Sequence, residues 1–260
     1  MTAFESTAPF YSRYRVPYPG SLLAQLKLDA NLGPVSTVLD LASGPGRFGL
    51  ALASSVHEVI AVDVEPEMLE EGERVARRLG IGNVRWILGR VEEVAIEAGS
   101  IDLVTIGEAF HRLEQGVVLR RIRQWLKAGG CVAIGGCFGV QFGDEQWQAS
   151  LRRAIEEWEG AAAAPSPGNA AALSRGIARD TGQLIEAGFA GVVNRQFSDS
   201  HTWTRDSILG HLHSTSRYSL SALGEELEGF RNAVLGALRT DESTQFRQDV
   251  SCGYSVGWKG

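Results

Sequence analysis

Lysine is nearly absent from this 260-residue chain, with three against 22 arginines, an imbalance that a GC-rich genome accounts for. Cysteine is scarce too. Cys131, Cys137 and Cys252 are too few and too scattered for a disulfide framework, and buried, reduced thiols are expected, the usual state of free cysteine. No apolar run approaches the roughly 20 residues needed to span a bilayer. The opening MTAFESTAPF has neither the basic start nor the apolar core of a signal peptide. Together these absences predict a cytoplasmic chain away from membranes. Excess positive charge is missing as well. The net charge of −6 argues against nucleic acid as a partner, because such binders carry a basic footprint.

What is present is a regular alternation. TVLDLA (37–42) reads as a buried strand and RFGLALASSV (47–56) as a helix. EVIAVDV (58–64) is a second strand, and PEMLEEGERVARRLG (66–80) a helix with Pro66 at its start and Gly80 at its end. NVRWIL (83–88) and IDLVTIG (101–107) are strands, GVVLRRIRQWLKAGG (116–130) a helix, and CVAIGGC (131–137) a fifth strand. Continuous apolar strands alternating with helices predict an α/β fold, a Rossmann-like doubly wound sheet that is mostly parallel. After residue 138 the rhythm changes. QWQASLRRAIEEWEG is helical, AAAAPSPGNAAA (161–172) a flexible loop, TGQLIEAGFAGV (181–192) a helix leading into a strand, and 205–239 mostly helical. The end reads as a C-terminal antiparallel strand or hairpin. The expected divisions are an N-terminal lid over 1–36, a core over 37–137, a small helical cap over 138–180, and completion of the sheet with further helices over 181–260.

VLDLASGPGRFGLALA (38–53) places Gly44, Gly46 and Gly49 as G-x-G-x-x-G between a strand and a helix. Glycines there let a ligand approach the backbone, and the helix N-terminus offers unpaired N–H groups. Alone the pattern serves a dinucleotide or a smaller ligand. Asp40, four residues before Gly44, would repel a pyrophosphate and suit a cationic amino group. Asp63, at the end of the second strand, is placed to accept from ribose hydroxyls in either case.

VLDLASGPGRFGLALA followed by VIAVDVEPEML resembles the first two motifs of class I S-adenosylmethionine-dependent methyltransferases. IDLVTIGEAFHRLE (101–114) and RRIRQWLKAGGCVAIGG (120–136) are similar to later motifs of that family. Tyr-x-x-Tyr-Arg-x-x-Tyr-Pro, beginning at Tyr11, and the Ala109-Phe110-His111 element resemble a small-molecule subgroup that includes trans-aconitate-type and natural-product methyltransferases. The resemblance implies S-adenosylmethionine as cofactor and a small-molecule acceptor, with a place in secondary metabolism. It puts Ala42 (where the family usually has Gly), Gly44 and Gly46 under the methionine part, and Asp40 near its amino group. Asp63 would hold the ribose, with Val64 and Met68 flanking the adenine. Arg90 stands where the family often has an acid, so Val91 backbone groups or the Glu92 carboxylate are the substitutes, and a solvated Arg90–Glu92 pair is the alternative. Tyr11, Tyr14 and Tyr18 either cover the sheet edge or form a lid, whose faces would attract a sulfonium. Arg15 would then bind the cofactor carboxylate.

Methyl transfer needs an aligned acceptor and, for some acceptors, a general base. His111 is the first candidate, with loop ordering as its alternative, and Glu108 is a candidate substrate contact. Phe110, His201, Trp203, His211 and Tyr218 are candidates for the acceptor pocket, with packing as the alternative. His211 and His213 lack an acid or Cys to complete a ligand set, so no metal is expected. Two competing readings stay open. One is a nicotinamide-dependent oxidoreductase, against which stand Asp40 and the lack of a Tyr-x-x-x-Lys pair. The other is a non-catalytic small-molecule-binding protein on the same fold.

Overall fold

The computed structural model describes residues 6–160, 169–239 and 244–260. In chain order the elements are α1 (Ala8–Tyr14), α2 (Gly20–Asp29), β1 (Thr37–Leu41), α3 (Arg47–Leu52), β2 (Glu58–Asp63), α4 (Pro66–Leu79), β3 (Val84–Leu88), β4 (Ile101–Gly107), α5 (Gln115–Trp125), β5 (Leu126–Cys137), α6 (Gln146–Glu159), α7 (Asn169–Glu186), β6 (Ala190–Trp203), α8 (Arg205–His213), α9 (Leu220–Leu223), α10 (Leu227–Arg239) and β7 (Phe246–Trp258). The sheet runs in the order β3-β2-β1-β4-β5-β7-β6. β1 to β5 are parallel, and β7 lies antiparallel to β5. This is the expected Rossmann-like sheet with an antiparallel C-terminal strand.

Local chemistry sets the boundaries. β1, β2 and β4 are apolar and buried almost throughout, as suits strands covered on both faces. α4 starts on Pro66 and stops at Gly80, whose φ of 70° an L side chain rarely adopts. The expected helix over 116–130 is shorter. It ends at Trp125, and Leu126 already pairs with Ile101. The Lys127–Gly130 stretch is a bulge in β5, because the pairing resumes only at Leu103 with Cys131. A Cβ at Gly130 would sit 3.0 Å from the Ile101 carbonyl oxygen, so the bulge takes glycine where backbone meets backbone. The loop expected over 161–172 lies mostly outside the described residues, and α7 begins at Asn169, earlier than expected.

The chain divides into two compact units. The larger comprises Pro17–Cys137, Arg175–Phe197 and Cys252–Gly260; the smaller comprises the described residues up to Val16, Phe138–Ser174 and Ser198–Ser251. In the larger unit, side chains of β1, β2, β4, β5 and α5 pack with Phe110, Leu184 and Phe189 as one core. Asp29, at the end of α2, takes a two-point ion pair from Arg195 at 2.9 and 3.0 Å and the Tyr254 hydroxyl at 2.8 Å. In the smaller unit Phe230 is the hub, stacked on Tyr218 and edge-on to Trp158. Trp147 packs on Phe246 and donates to the Arg247 carbonyl, so both tryptophans serve packing.

The thiol expectation needs correcting. Cys137 and Cys252 form a disulfide, and only Cys131 is free, buried. The two are far apart in sequence, but the antiparallel register of β5 and β7 sets them opposite each other. Reduced thiols therefore no longer support a cytoplasmic location. Among the described residues, no helix is long and apolar enough to cross a membrane.

Candidate functional site

The strand order reverses between β1 and β4. In open α/β sheets ligands bind outside the carboxyl ends of the strands at such a switch point. Two residues there carry strained backbones. Ala42, the first residue past β1, has φ of 49°, and Glu108, the first past β4, has φ of 59°. The left-handed region costs an L-residue roughly 1–2 kcal/mol, and such outliers cluster where a ligand is held.

The three motif glycines do different work. Gly44 (φ 55°) and Gly46 (φ 76°) make the turn, and a Cβ on Gly46 would lie 2.7 Å from Cη2 of Trp86. Gly49 lets α3 press onto the sheet: its Cβ would come within 2.8 Å of Val59 Cγ1. Trp86, from β3, also fills the space over Gly72 of α4. The turn is thus braced by an aromatic that the motif itself did not reveal.

Asp40 is 1% exposed. Its Oδ1 accepts from the Thr105 hydroxyl at 2.7 Å and its Oδ2 from the Gly49 N–H at 3.0 Å. Burial pushes its carboxyl up to about 7, even though these two hydrogen bonds pull the other way. The expectation of a full negative charge ahead of the turn therefore needs correcting. Near neutral pH Asp40 holds a proton far more readily than an ordinary aspartate, and both its oxygens are engaged in holding α3 to β1 and β4.

Asp63 closes the turn from β2. Its Oδ2 accepts from the Gly44 N–H at 2.6 Å and its Oδ1 from the Glu65 N–H at 2.9 Å. Burial raises its pKa despite these bonds. The Val64 N–H also bonds to this carboxylate; a carboxylate offers about four lone-pair sites, so acceptor capacity remains for one hydroxyl. Val64 beside it is 57% exposed, an apolar side chain open to a flat ligand, whereas Met68 is buried. Val91 points into the core. Arg90 pairs with Glu92 at 3.4 Å and Glu93 at 3.3 Å, and Glu92 also accepts from the Glu114 N–H at 3.2 Å. The Arg90–Glu92 pair is therefore engaged with its own loop and with the start of α5.

Past β4, the Glu108 carboxylate accepts from the Cys137 N–H at 3.3 Å and lies 3.5 Å from Arg47 Nη1. Arg47 covers the ring of Tyr18, which stacks on Phe48 with centroids 3.8 Å apart. Sequence reasoning missed Arg47, although it directly follows Gly46. His111 stands on an exposed 3-10 turn (Phe110–Arg112). Partial desolvation of its ring, with Arg112 and Arg179 nearby, holds its pKa below the ordinary value, so the imidazole is neutral at pH 7.

The other candidates are each held by neighbours within their own unit. Phe110 is buried in the core of the larger unit. Tyr14, Arg15, His201, Trp203, His211 and Tyr218 belong to the smaller unit. Tyr14 lies flat against Gly210, and Arg15 donates to Ser214 Oγ at 2.8 Å while covering Tyr11. Trp203 is fully buried and donates to Gln248; His201 and His211 pack edge-on against it. Tyr218 is buried and donates to Glu159 at 2.6 Å. Packing thus accounts for Trp203, His211 and Tyr218. No group of three or more His, Cys, Asp or Glu side chains converges as a metal site among the described residues.

Residues 38–130 match the family described as a methyltransferase domain. An uncharacterized methyltransferase of Schizosaccharomyces pombe is 27% identical over 158 residues, 60% of this chain and 60% of that protein. The chain spans about half to three-fifths of the length of the curated relatives it matches first. Among solved structures, the YcgJ protein of Bacillus subtilis shares the fold with a TM-score of 0.56 and 15% identity, over 93% of this chain and 99% of that one. Phosphoethanolamine N-methyltransferase 2 of Haemonchus contortus, solved with phosphomonomethylethanolamine and S-adenosylhomocysteine, gives 0.54 and 16%, over 98% of this chain and 56% of that one. Residues 38–130 are thus similar to a methyltransferase domain, and the solved structures share the Rossmann-like fold.

Proposed function

We propose that this protein transfers a methyl group from S-adenosylmethionine to a small-molecule acceptor, of the trans-aconitate or natural-product type that its opening Tyr/Arg/Pro pattern resembles. The observation that carries the reading is the pair of left-handed residues, Ala42 and Glu108, on the two strands that flank the switch point, beside the Asp63-clamped turn.

The cofactor, when bound, supplies a methyl group activated on a sulfonium, which leaves the protein to bind, align and exclude water. The residues present fit it. Asp63 has an acceptor site left for a ribose hydroxyl, Val64 offers an apolar face to the adenine, and Gly44 and Gly46 let the backbone come close. With both Asp40 oxygens already engaged, the amino group is left to backbone carbonyls of the turn. His111, neutral at pH 7, is the proton acceptor where the acceptor atom bears a proton, and Glu108 with Arg47 is the polar contact at the end of β4. The net charge of −6 supports an acceptor other than nucleic acid.

Isothermal calorimetry with S-adenosylmethionine, S-adenosylhomocysteine and NADH tests this. Binding of the first two and none of the third is expected. Tight NADH binding without the others would replace the reading with an oxidoreductase.

A further inference from the structure

The Cys137–Cys252 bond lies where the site has its polar contact. Cys137 is the last residue of β5, and its own backbone N–H donates to Glu108 Oε1. Glu108 is held in a left-handed backbone, and its side chain fills the space over Gly136, where a Cβ would come within 2.5 Å of Glu108 Cγ. Cys252 is fully buried and Cys137 8% exposed. Their pairing is the last rung in the register of β5 with β7.

We propose that Cys137 and Cys252 form a redox modification site, a reversible disulfide that sets the position of Glu108 and, through its ion pair with Arg47 next to the Gly44–Gly46 turn, the affinity for the cofactor. The inference rests on the function proposed above. Once the bond is cut, two non-bonded sulfurs need more separation than two bonded ones. Packed surroundings give Cys252 no room, so the end of β5 shifts and carries the Cys137 N–H away from Glu108. The partner is a dithiol reductant. Its thiolate attacks Sγ of Cys137, the less buried residue of the pair, and Cys252 leaves as a thiolate that takes up a proton. The reductant's second thiol then displaces Cys137, which is protonated in turn. Two electrons and two protons pass to the protein, and the reductant ends as its own disulfide.

The test uses the full chain in two redox states. Protein purified without reductant is denatured, alkylated and weighed. One alkylated thiol, Cys131, is expected, and three after dithiothreitol. S-adenosylhomocysteine affinity is then measured by calorimetry in both states, with circular dichroism to verify the fold. Reduction is expected to weaken binding about fivefold or more, the lower end of ordinary coupling between sites. Cys252→Ser should bind weakly and ignore the reductant, while Cys131→Ser should keep the full response. Should Cys252→Ser fail to fold, the comparison of the two wild-type states decides. Three alkylated thiols before reduction, or equal affinity in both states, overturns the switch and leaves the cofactor site standing. Failure to bind in either state removes the proposed function, and the switch with it.

Discussion

Asp40→Asn is expected to make this protein more stable at neutral pH, although it removes a buried charge from the heart of the fold. The carboxyl is 1% exposed and its pKa is raised from 3.8 to about 7 by burial. The folded state therefore holds a proton that the unfolded state releases. Stability from this group is fully present below about pH 4 and is lost as the pH rises through about 7. A shift of about three units at about 1.36 kcal/mol each makes the full effect about 4 kcal/mol, of which about 3 falls between about pH 4.5 and pH 7.5. Asparagine imitates the protonated acid. Its carbonyl can accept from the Gly49 N–H, and its amide can donate to Thr105, whose hydroxyl turns to receive it. Urea unfolding of both proteins across that range checks this. The gap between variant and wild type should widen in the variant's favour as pH rises. A gap that stays constant within about 0.5 kcal/mol, the usual margin for independent effects, would mean that Asp40 is ionised throughout and that its burial has been overvalued.

Three further outcomes follow from the same geometry. Asp63→Asn turns an N–H donor toward either Gly44 or Glu65. It should weaken S-adenosylhomocysteine by about 1.5–3 kcal/mol on the scale of hydrogen bonds to charged groups; unchanged affinity in calorimetry would reduce Asp63 to a loop clamp. Ala42→Gly removes a strained φ of 49° and should raise the unfolding midpoint or leave it unchanged, whereas Ala→Gly in an unstrained helix costs about 1 kcal/mol. A loss of that size at residue 42 in thermal unfolding would contradict the strain. Gly72→Ala should destabilise by about 1–3 kcal/mol through overpacking, against the gain that alanine normally brings to a helix, because its Cβ would meet Trp86 Cη2 at 2.5 Å; denaturant titration that finds a gain would show that Trp86 moves freely.

The sequence by itself determined which strands and helices make the parallel half, since apolar runs and Pro and Gly punctuation are local signals, but not that the helix before β5 ends at Trp125. It also determined the placement of Asp40, Asp63 and the glycine turn at strand ends. What it could not hold is anything that depends on residues meeting across the chain. Asp40 looked charged because a one-dimensional pattern carries no desolvation. Cys137 and Cys252 looked unrelated because only the register of β5 against β7 brings them together. Trp203, His211 and Tyr218 looked available because burial and hydrogen-bond partners come from packing. Ala42 stood only as a residue where the family usually has Gly until its backbone angle revealed the strain. Local composition fixes the elements; dielectric, register and strain belong to the tertiary structure, since each is a property of neighbours that the chain order does not adjoin.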